Sequence, residues 1–458
     1  MVTLSLRLTS KAGKPELLRL NRGVMKEKAL PVQRWQRLGK MARLAGGVAG
    51  GMLAEGFKQW SRGHRPSLRE LLLTPGNAER VAERLSEMRG AAMKLGQILS
   101  MDTGDLLPEP LAEILGQLRS EASTLPLKQT QATLKAVYGD QWADRFKQFE
   151  MTPFAAASIG QVHRAVTHDD QEIVIKLQYP GVVDSIDADI ENMATLLRWS
   201  GLVPDGIDLA PILEDAKAQL HDEADYLQEA AHLTRFRDAL QHDARFLLPR
   251  VIPELSYREA LAMTFVPGVA IETLADHPQQ VRDTVMTSLI ELLLMELFEL
   301  RWMQTDPNFA NYRYDESSGR TVLLDFGATR SFKAKFVNDY RSLAKAAIAG
   351  HRGRMLGAAE RLGYAIGDSD GPYRDLIIDV FKLALEPLSQ PGLYDFGTSD
   401  MPARMMALSH RVTDHADFWQ VPPADAIYFH RKIGGLFMLA HRLKARVPVY
   451  DLFQAVIR

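Results

Sequence analysis

The stretch from Met303 to Phe332 constrains the fold of this chain more than any other. In it, Asp306 is followed five positions later by Asn311, and an apolar run then leads into Asp325-Phe326-Gly327. D-F-G alone is a common tripeptide and could lie in an acidic turn without function. A D-x-x-x-x-N shortly upstream of D-F-G is much more specific and argues against two unrelated acidic turns. Mg²⁺ prefers a few hard oxygen ligands and takes the rest from phosphate and water. We predict that Asn311 and Asp325 bind Mg²⁺ at the end of a strand pair, while Asp306 receives or orients an attacking hydroxyl.

A second motif begins at Phe154, where A-A-A-S-I-G-Q-V-H-R-A-V, a D-D-Q turn and E-I-V-I-K predict two strands joined by a tight turn. A loop at the start of such a hairpin covers the nucleotide phosphates in kinase-type sites, and a strand lysine, here Lys176, grips them. Alanines replace most of the usual glycines, so neither nucleotide preference nor transfer geometry follows from this motif. The loop residues predicted to bind nucleotide are Ala155, Ala156, Ala157, Ser158 and Gly160.

Two further segments complete the predicted site. Strands over 246–252 and 258–265 lead to a break at Pro267-Gly268, which is typical of a hinge. The hinge backbone at Met263, Thr264, Phe265 and Val266 is predicted to hydrogen-bond an adenine.

Between the hairpin and the hinge, one helix is predicted over 210–239. Because each residue of a helix turns by about 100°, Asp225 and Glu229 would share a face and Glu223 would point nearly opposite. A long buried helix over 281–303 would then lead to the D-x-x-x-x-N motif.

Composition restricts the cellular setting. The chain has no cysteine, which excludes disulfide frameworks, thiolate metal sites and cysteine nucleophiles. Residues 1–65 carry fourteen Lys or Arg against three Glu, a net charge of +11, which leaves −13 for the remainder because the whole chain carries −2. Such a basic arm favours an anionic membrane surface, and its few aromatic residues argue against nucleic acid. We see no apolar run long enough for a transmembrane helix and no secretory signal.

The remaining sequence is predicted to be helical. A helix from Asn77 to about Met101 carries Lys94 and Gln97 one turn apart, a spacing that by itself is typical of a solvated edge. Shorter helices are predicted over 109–119 and 127–137. Beyond Arg330 no strand pattern remains, and helices are predicted over 336–349, 354–362, 373–388, 403–415 and 424–445.

The order of these elements predicts an α+β, bilobal protein-kinase-like fold with a helical N-terminal extension and an all-α C-lobe. From about Pro31 to the C-terminus the sequence resembles the UbiB family of atypical kinase-like proteins, also called ABC-one or AarF-domain kinases, and especially its coenzyme Q branch. The residues that carry the resemblance are R-G-A-A-M-K-L-G-Q, A-A-A-S-I-G-Q-V-H, E-A-D-Y-L-Q-E-A, M-Q-T-D-P-N-F-A-N, L-L-D-F-G-A-T-R and H-R-K-I-G-G-L-F.

The resemblance implies roles for several of these residues. Lys94 and Gln97 would lie on an extension that folds over the active site, where Glu223 meets Lys94; Asp225 belongs to the same family-specific set. Glu229 would be the partner of Lys176. Members of the family are similar to ATPases more than to protein kinases, lie on membranes and support isoprenoid quinone biosynthesis.

These inferences predict four regions: a basic membrane-proximal arm (1–65), a helical extension (66–150), an N-lobe (151–268) and a C-lobe (269–458). We expect an Mg²⁺-dependent enzyme that binds ATP or ADP, peripheral to the cytoplasmic face of a membrane, or mitochondrial in a eukaryote. Its expected partners are membrane lipids and intermediates or enzymes of quinone biosynthesis, and a homodimer is left open. The alternatives are a protein kinase acting in trans, against which the missing A-P-E motif argues, and a nucleotide-sensing scaffold without turnover.

Overall fold

A computed structural model describes residues 125–200, 210–364, 371–413 and 423–457. The predicted basic arm, the helices at 77–101 and 109–119, and therefore Lys94 and Gln97, lie outside the described residues.

The described chain contains both strands and helices. The strands are β1 (Gln148–Phe149), β2 (Ala155–Ala156), β3 (Gly160–Val166), β4 (Glu172–Gln178), β5 (Phe246–Leu247), β6 (Ala260–Thr264), β7 (Val269–Ala270), β8 (Trp302–Gln304), β9 (Tyr312–Asp315), β10 (Arg320–Leu323), β11 (Thr329–Ser331), β12 (Tyr394–Asp395) and β13 (Arg446–Val447). The helices are α1 (Leu127–Tyr138), α2 (Ile186–Ser200), α3 (Ala210–Glu223), α4 (Tyr226–Ala239), α5 (Gln279–Met295), α6 (Ala334–Ile348), α7 (Arg352–Leu362), α8 (Gly371–Ala384), α9 (Met401–Thr413), α10 (Ala424–Arg442) and α11 (Val449–Val456).

The first sheet has five strands in the order β1-β3-β4-β6, with β2 also paired to β3, and all pairs are antiparallel. The predicted β3–β4 hairpin is confirmed. Successive side chains of a strand point to opposite faces, so Ile173, Ile175 and Leu177 enter a core shared with α1, while Lys176 points to the other side. Since Leu134 of α1 belongs to this core, packing runs across the boundary predicted at residue 150.

A second sheet, in the order β5-β10-β9-β7, presents the C-lobe site residues. In its β9–β10 hairpin Leu323 pairs with Tyr312, and the ladder continues one step further, because the Leu324 N–H donates to the Asn311 carbonyl at 3.1 Å. The strands predicted at 246–252 and 258–265 are shorter than expected and become β5 and β6.

The single helix predicted over 210–239 was wrong. The chain forms α3 and α4, and Asp225 is the N-cap of α4 with extended backbone (φ −103°). Its Oδ1 accepts hydrogen bonds from the N–H groups of Leu227 and Gln228 at 3.1 and 3.4 Å. An N-cap carboxylate satisfies backbone donors that a helix start leaves unpaired, and here this stabilises a new start inside the predicted helix. The predicted angles between Glu223 and Glu229 therefore do not apply.

The long helix predicted over 281–303 was wrong at its C-terminal end. The α-helix α5 ends at Met295 and a π-helical turn follows over Glu296–Leu300. Arg301 then adopts a left-handed conformation (φ 58°), and the next three residues form β8 because they pair with β11.

After residue 332 the predicted helices are found, and α11 is added. The structure also contains short strands that were not predicted, among them the pairs β8–β11 and β12–β13. The expectation that no strand follows Arg330 was therefore wrong for β12 and β13. Strands of two or three residues are too short to show an alternating pattern. Within the described ranges, no helix combines the length and apolar character that crossing a bilayer requires.

Candidate active site

Lys176 and two carboxylates form the centre of the site. From β4, the Lys176 Nζ donates to both carboxylate oxygens of Glu229 at 2.9 and 2.8 Å and to Asp325 Oδ2 at 3.1 Å. Glu229 lies on the first turn of α4, and Asp325 follows β10. The contact predicted between Lys176 and Glu229 is therefore present, and the structure brings the N-lobe lysine to the D-F-G aspartate.

Burial and charge shift the pKa values of this trio. Burial, together with the charge of the neighbouring Asp325, raises the pKa of Glu229 to about 7 against the lowering effect of Lys176. Burial alone would lower the pKa of Lys176, but Asp325 and Glu229 outweigh it and hold that pKa well above the ordinary value. Two carboxylates facing one ammonium favour a further cation in this cleft.

The loop between β8 and β9, Thr305–Asn311, carries the predicted catalytic aspartate. Asp306 Oδ2 accepts a hydrogen bond from Asn311 Nδ2 at 2.8 Å. This bond joins the first part of the loop to its last residue and orients the Asp306 carboxylate. Because the Leu324 N–H is bonded to the Asn311 carbonyl, Asn311 and Asp325 flank the same end of the β9–β10 hairpin. The structure thus brings Asp306, Asn311 and Asp325 to one place, as the spacing predicts.

This donor set suits Mg²⁺. An amide and a carboxylate oxygen are hard ligands, and a pair of them leaves positions for phosphate and water. In the described ranges no three His, Cys, Asp or Glu side chains form a metal cluster.

The alanine-rich loop precedes β3 and is held against it. Ala155 and Ala156 pair with β3 as β2, and the Ala157 N–H donates to the Gly160 carbonyl at 2.9 Å, so Ser158 and Ile159 form the tip. Ile159 is buried in the main core. A Cβ on Gly160 would lie 2.4 Å from the Leu177 carbonyl oxygen, so only glycine fits there.

The predicted hinge follows β6. Two of its N–H groups already donate hydrogen bonds within the protein. The Thr264 N–H donates to the Arg250 carbonyl at 2.9 Å, and the Phe265 N–H donates to the Glu172 carbonyl at 3.0 Å. Neither bond involves Val266, the next residue, and the contact of the hinge backbone with an adenine stays a prediction. Met263 is buried in the main core.

Glu223 and Asp225, the two predicted lid residues that the structure describes, have different partners. Glu223, at the end of α3, accepts a hydrogen bond from the Ser158 hydroxyl of the loop tip at 3.4 Å. Asp225 caps α4 and forms an ion pair with Arg258 at 3.0 Å.

Sequence reasoning missed two residues near the site. Tyr226 is fully buried, its ring centre lies 5.1 Å from the Lys176 Nζ, and its hydroxyl would lie 2.8 Å from a Cβ on Gly160. Lys432, from α10, donates to Gln304 directly before the Asp306 loop at 2.9 Å. Both lie in motifs quoted above, but no local spacing indicates their contacts.

Comparisons with known proteins agree with this geometry. Residues 117–358 match the ABC1 atypical kinase-like domain. The chain is 36% identical over 448 residues to the mitochondrial atypical kinase COQ8B of Rattus norvegicus, covering 97% of this chain and 83% of the relative. It is 33% identical over 439 residues to the mitochondrial atypical kinase COQ8 of Saccharomyces cerevisiae, covering 94% and 86%.

A solved structure is similar as well. Rv3197 from Mycobacterium tuberculosis, determined in complex with erythromycin, superposes with a TM-score of 0.57 at 26% identity, over 82% of this chain and 94% of that one. Fold, site geometry and relatives lead to the same conclusion. The chain belongs to the ABC1 family of atypical kinase-like enzymes, in the branch that contains the COQ8 kinases.

Proposed function

We propose that this protein is an Mg²⁺-dependent, ATP-binding atypical kinase or ATPase that acts at a membrane surface and supports ubiquinone biosynthesis. The observation that carries the proposal is the contact of Lys176 with both Glu229 and Asp325. Lys176 and Asp325 are separated by 149 positions and meet in a partly buried ion pair, beside the loop that holds Asp306 and Asn311.

The proposed roles follow from this arrangement. Asn311 and Asp325 would hold Mg²⁺, which when bound neutralises charge on the phosphate oxygens. Lys176, oriented by Glu229, would bind phosphate. Asp306 is partly exposed and is oriented by Asn311, so it is available to the hydroxyl or water that attacks the phosphorus.

The path of the chain after D-F-G supports small acceptors over proteins. Only six residues separate Gly327 from Ala334, where α6 begins, and three of the six form β11. This segment is too short to form the extended platform on which a peptide substrate would lie. Water or a small metabolite is therefore the proposed phosphoryl acceptor.

The membrane and pathway parts of the proposal have separate support. The basic arm at residues 1–65 would bind anionic lipids through its charge. The COQ8 relatives are mitochondrial by name, and we propose the same branch of metabolism for this chain, with lipid-soluble quinone precursors or their enzymes as partners.

ATP hydrolysis by the full chain tests the proposal, measured with and without anionic liposomes and with a panel of quinone-like phenols. We expect Asp306→Asn to lower kcat by about 100-fold, because proton transfer by a positioned carboxylate contributes at least that much. The matched control is Asp400→Asn, since the Asp400 side chain is 73% exposed and pairs with Arg404, one turn along α9. Hydrolysis that D306N leaves unchanged would contradict the proposed role of Asp306.

Two outcomes separate the alternatives. Binding of Mg-ATP without turnover under every condition would favour a nucleotide-sensing scaffold. Phosphate transferred to an added protein would favour a protein kinase acting in trans.

A further inference from the structure

The sequence motif H-R-K-I-G-G-L-F lies on α10, and the site described so far gives it no role. Gly435 of this motif lies against the loop that carries Asp306. A Cβ on Gly435 would lie 2.3 Å from the Pro307 Cβ and 3.1 Å from the Pro307 carbonyl oxygen. A Cβ on the preceding Gly434 would meet nothing within 4 Å. Since Pro307 directly follows Asp306, α10 contacts the loop next to the predicted catalytic aspartate.

Lys432 lies one turn earlier on α10 and holds both ends of the same loop. Its Nζ donates to Gln304 Oε1 at 2.9 Å and to the Tyr312 hydroxyl at 2.6 Å. Gln304 is the last residue of β8 and Tyr312 is the first of β9, so the ammonium connects the two strands between which the loop runs. Lys432 is 3% exposed and therefore does not face the cleft solvent.

A buried carboxylate completes the cluster. Glu296 lies in the π-helical turn after α5, where its Oε2 is 4.0 Å from the Lys432 Nζ and its Oε1 accepts the Gln304 N–H at 3.3 Å. Burial acts to lower the pKa of Lys432, but Tyr312 and Glu296 outweigh it, so the pKa lies above its ordinary value and the lysine stays charged. Gln304 is thus held at two points, because its side chain accepts a hydrogen bond from Lys432 and its N–H donates one to Glu296.

Gln304 and Thr305 directly precede Asp306, at the two positions where protein kinases have the His and Arg of H-R-D. Thr305 is fixed as well, since its hydroxyl donates to the Ala328 carbonyl at 2.8 Å. The loop therefore receives support from two directions, from the segment after D-F-G and from α10.

We infer that Lys432 and Gly435 of α10 are positioning residues for the phosphoryl-transfer reaction, Lys432 by joining Gln304 to Tyr312 and Gly435 by seating Pro307. The inference rests on the proposed function for what the loop does, and on described contacts for how the loop is held. Errors of about 1 Å in the position of a catalytic group cost large factors in rate, and this is the physical reason for such support.

Hydrolysis kinetics of the full chain test the inference. We expect Lys432→Met to lower kcat by about 10- to 100-fold. KM for Mg-ATP and the thermal shift caused by Mg-ATP should change by less than about twofold, because Lys432 is buried and its hydrogen bonds go to Gln304 and Tyr312. Gly435→Ala should lower kcat by about tenfold, and Gly434→Ala, its neighbour on the same helix, should not.

A double variant separates positioning from simple loss of stability. In Lys432→Met/Glu296→Gln the unpaired carboxylate is removed together with the ammonium, so the melting temperature should recover relative to K432M. If Lys432 positions the loop, kcat stays low in the double variant, because nothing joins Gln304 to Tyr312. Recovery of kcat in parallel with the melting temperature would overturn the inference, as would equal kcat for G435A and G434A.

Hydrogen exchange of peptides covering Thr305–Asn311 reads the loop directly and does not need turnover. We expect faster exchange there in K432M and G435A, and wild-type exchange in G434A. If the wild-type protein hydrolyses no ATP, the proposed function fails while this readout still decides the inference. Exchange that is the same in all four proteins would overturn it.

Discussion

The two buried lysines of the catalytic region stand in opposite electrostatic settings. Lys176 contacts Glu229 and Asp325, two carboxylates, and the side chain of Asp325 is 36% exposed at the cleft. Lys432 has one carboxylate at 4.0 Å and two neutral oxygen partners, and both charged groups are almost completely buried.

We propose that this difference separates a ligand-binding site, at Lys176, from a cluster that supports the catalytic loop, at Lys432. Around Lys176, negative charge accumulates next to a partly open carboxylate, which is what a bound Mg²⁺-nucleotide would use. Around Lys432, one ammonium faces one carboxylate, and its two hydrogen-bond partners lie on β8 and β9, the strands that flank the catalytic loop. The comparison teaches that burial of a lysine does not by itself indicate a ligand site; the excess charge and the exposure of its partners do.

The comparison predicts the largest loss of stability for Lys176→Met. Removal of the ammonium leaves Glu229 and Asp325 facing each other, and an uncompensated buried charge costs about 3–5 kcal/mol. Urea unfolding measures the loss. The control is Lys135→Met on α1, whose lysine is 56% exposed and pairs with the exposed Asp140, so the change should cost less than about 1 kcal/mol. Similar losses in K176M and K135M would contradict the assignment of a buried ion-pair centre.

A smaller loss is expected for Lys432→Met. Only one carboxylate, Glu296, is left behind, and it can become neutral by taking up a proton because burial raises its pKa to about 7. Burial raises the pKa of Glu229 to a similar value, but in K176M Glu229 also faces the second carboxylate, Asp325. We expect a loss of about 1–3 kcal/mol at neutral pH, smaller than for K176M in the same urea experiment. A loss as large as that of K176M would remove the distinction between the two lysines.

The pH dependence of the Lys432 cluster follows from Glu296. Its pKa is 4.5 in the unfolded chain and about 7 in the folded protein, because burial raises it. The folded state therefore holds an extra proton between these values, and the stability contributed by Glu296 is present at low pH and lost as pH rises towards 7. Between about pH 5 and pH 7.5, we expect the free energy of unfolding of the wild type to fall by on the order of 2 kcal/mol more than that of Glu296→Gln. Urea midpoints with the same pH slope in both proteins would argue against this pKa.

The smallest effect is expected for Tyr226→Phe. The Tyr226 hydroxyl is buried without a hydrogen-bond partner in the described structure, so its removal relieves a desolvation cost. We expect stability to be unchanged or higher by up to about 1 kcal/mol, with ATP hydrolysis within about twofold of wild type. A clear loss of hydrolysis would instead assign the hydroxyl a role at Lys176.

Local patterns predicted much of this architecture. The strand–turn–strand pattern ending at I-V-I-K predicted the β3–β4 hairpin, and the spacing of Asp306, Asn311 and Asp325 agrees with the β9–β10 hairpin that they flank. The prediction over 210–239 failed because Asp225 reads as an ordinary helical residue until its side chain caps α4. The end of α5 was misplaced because apolar periodicity continues through the π-helical turn into β8.

Long-range contacts explain what the sequence could not predict. Lys432 is 128 positions from Gln304, and Gly435 meets Pro307 across a similar separation. The resemblance drew attention to H-R-K-I-G-G-L-F, but only the folded chain relates it to the catalytic loop. The roles of Asp306, Asn311 and Asp325 and the assignment of the nucleotide-contacting residues stay predictions until binding is measured.

The central claim, that Asn311 and Asp325 hold a divalent metal with a nucleotide gripped by Lys176, is tested most directly by Mn²⁺ binding. Mn²⁺ takes the same oxygen ligands as Mg²⁺, and electron paramagnetic resonance reports how much of it is free in the presence of ADP. We predict one tight, nucleotide-dependent Mn²⁺ site in wild type and in E296Q, weakened by more than about tenfold in Asp325→Asn. Undiminished nucleotide-dependent Mn²⁺ binding by D325N would contradict the account.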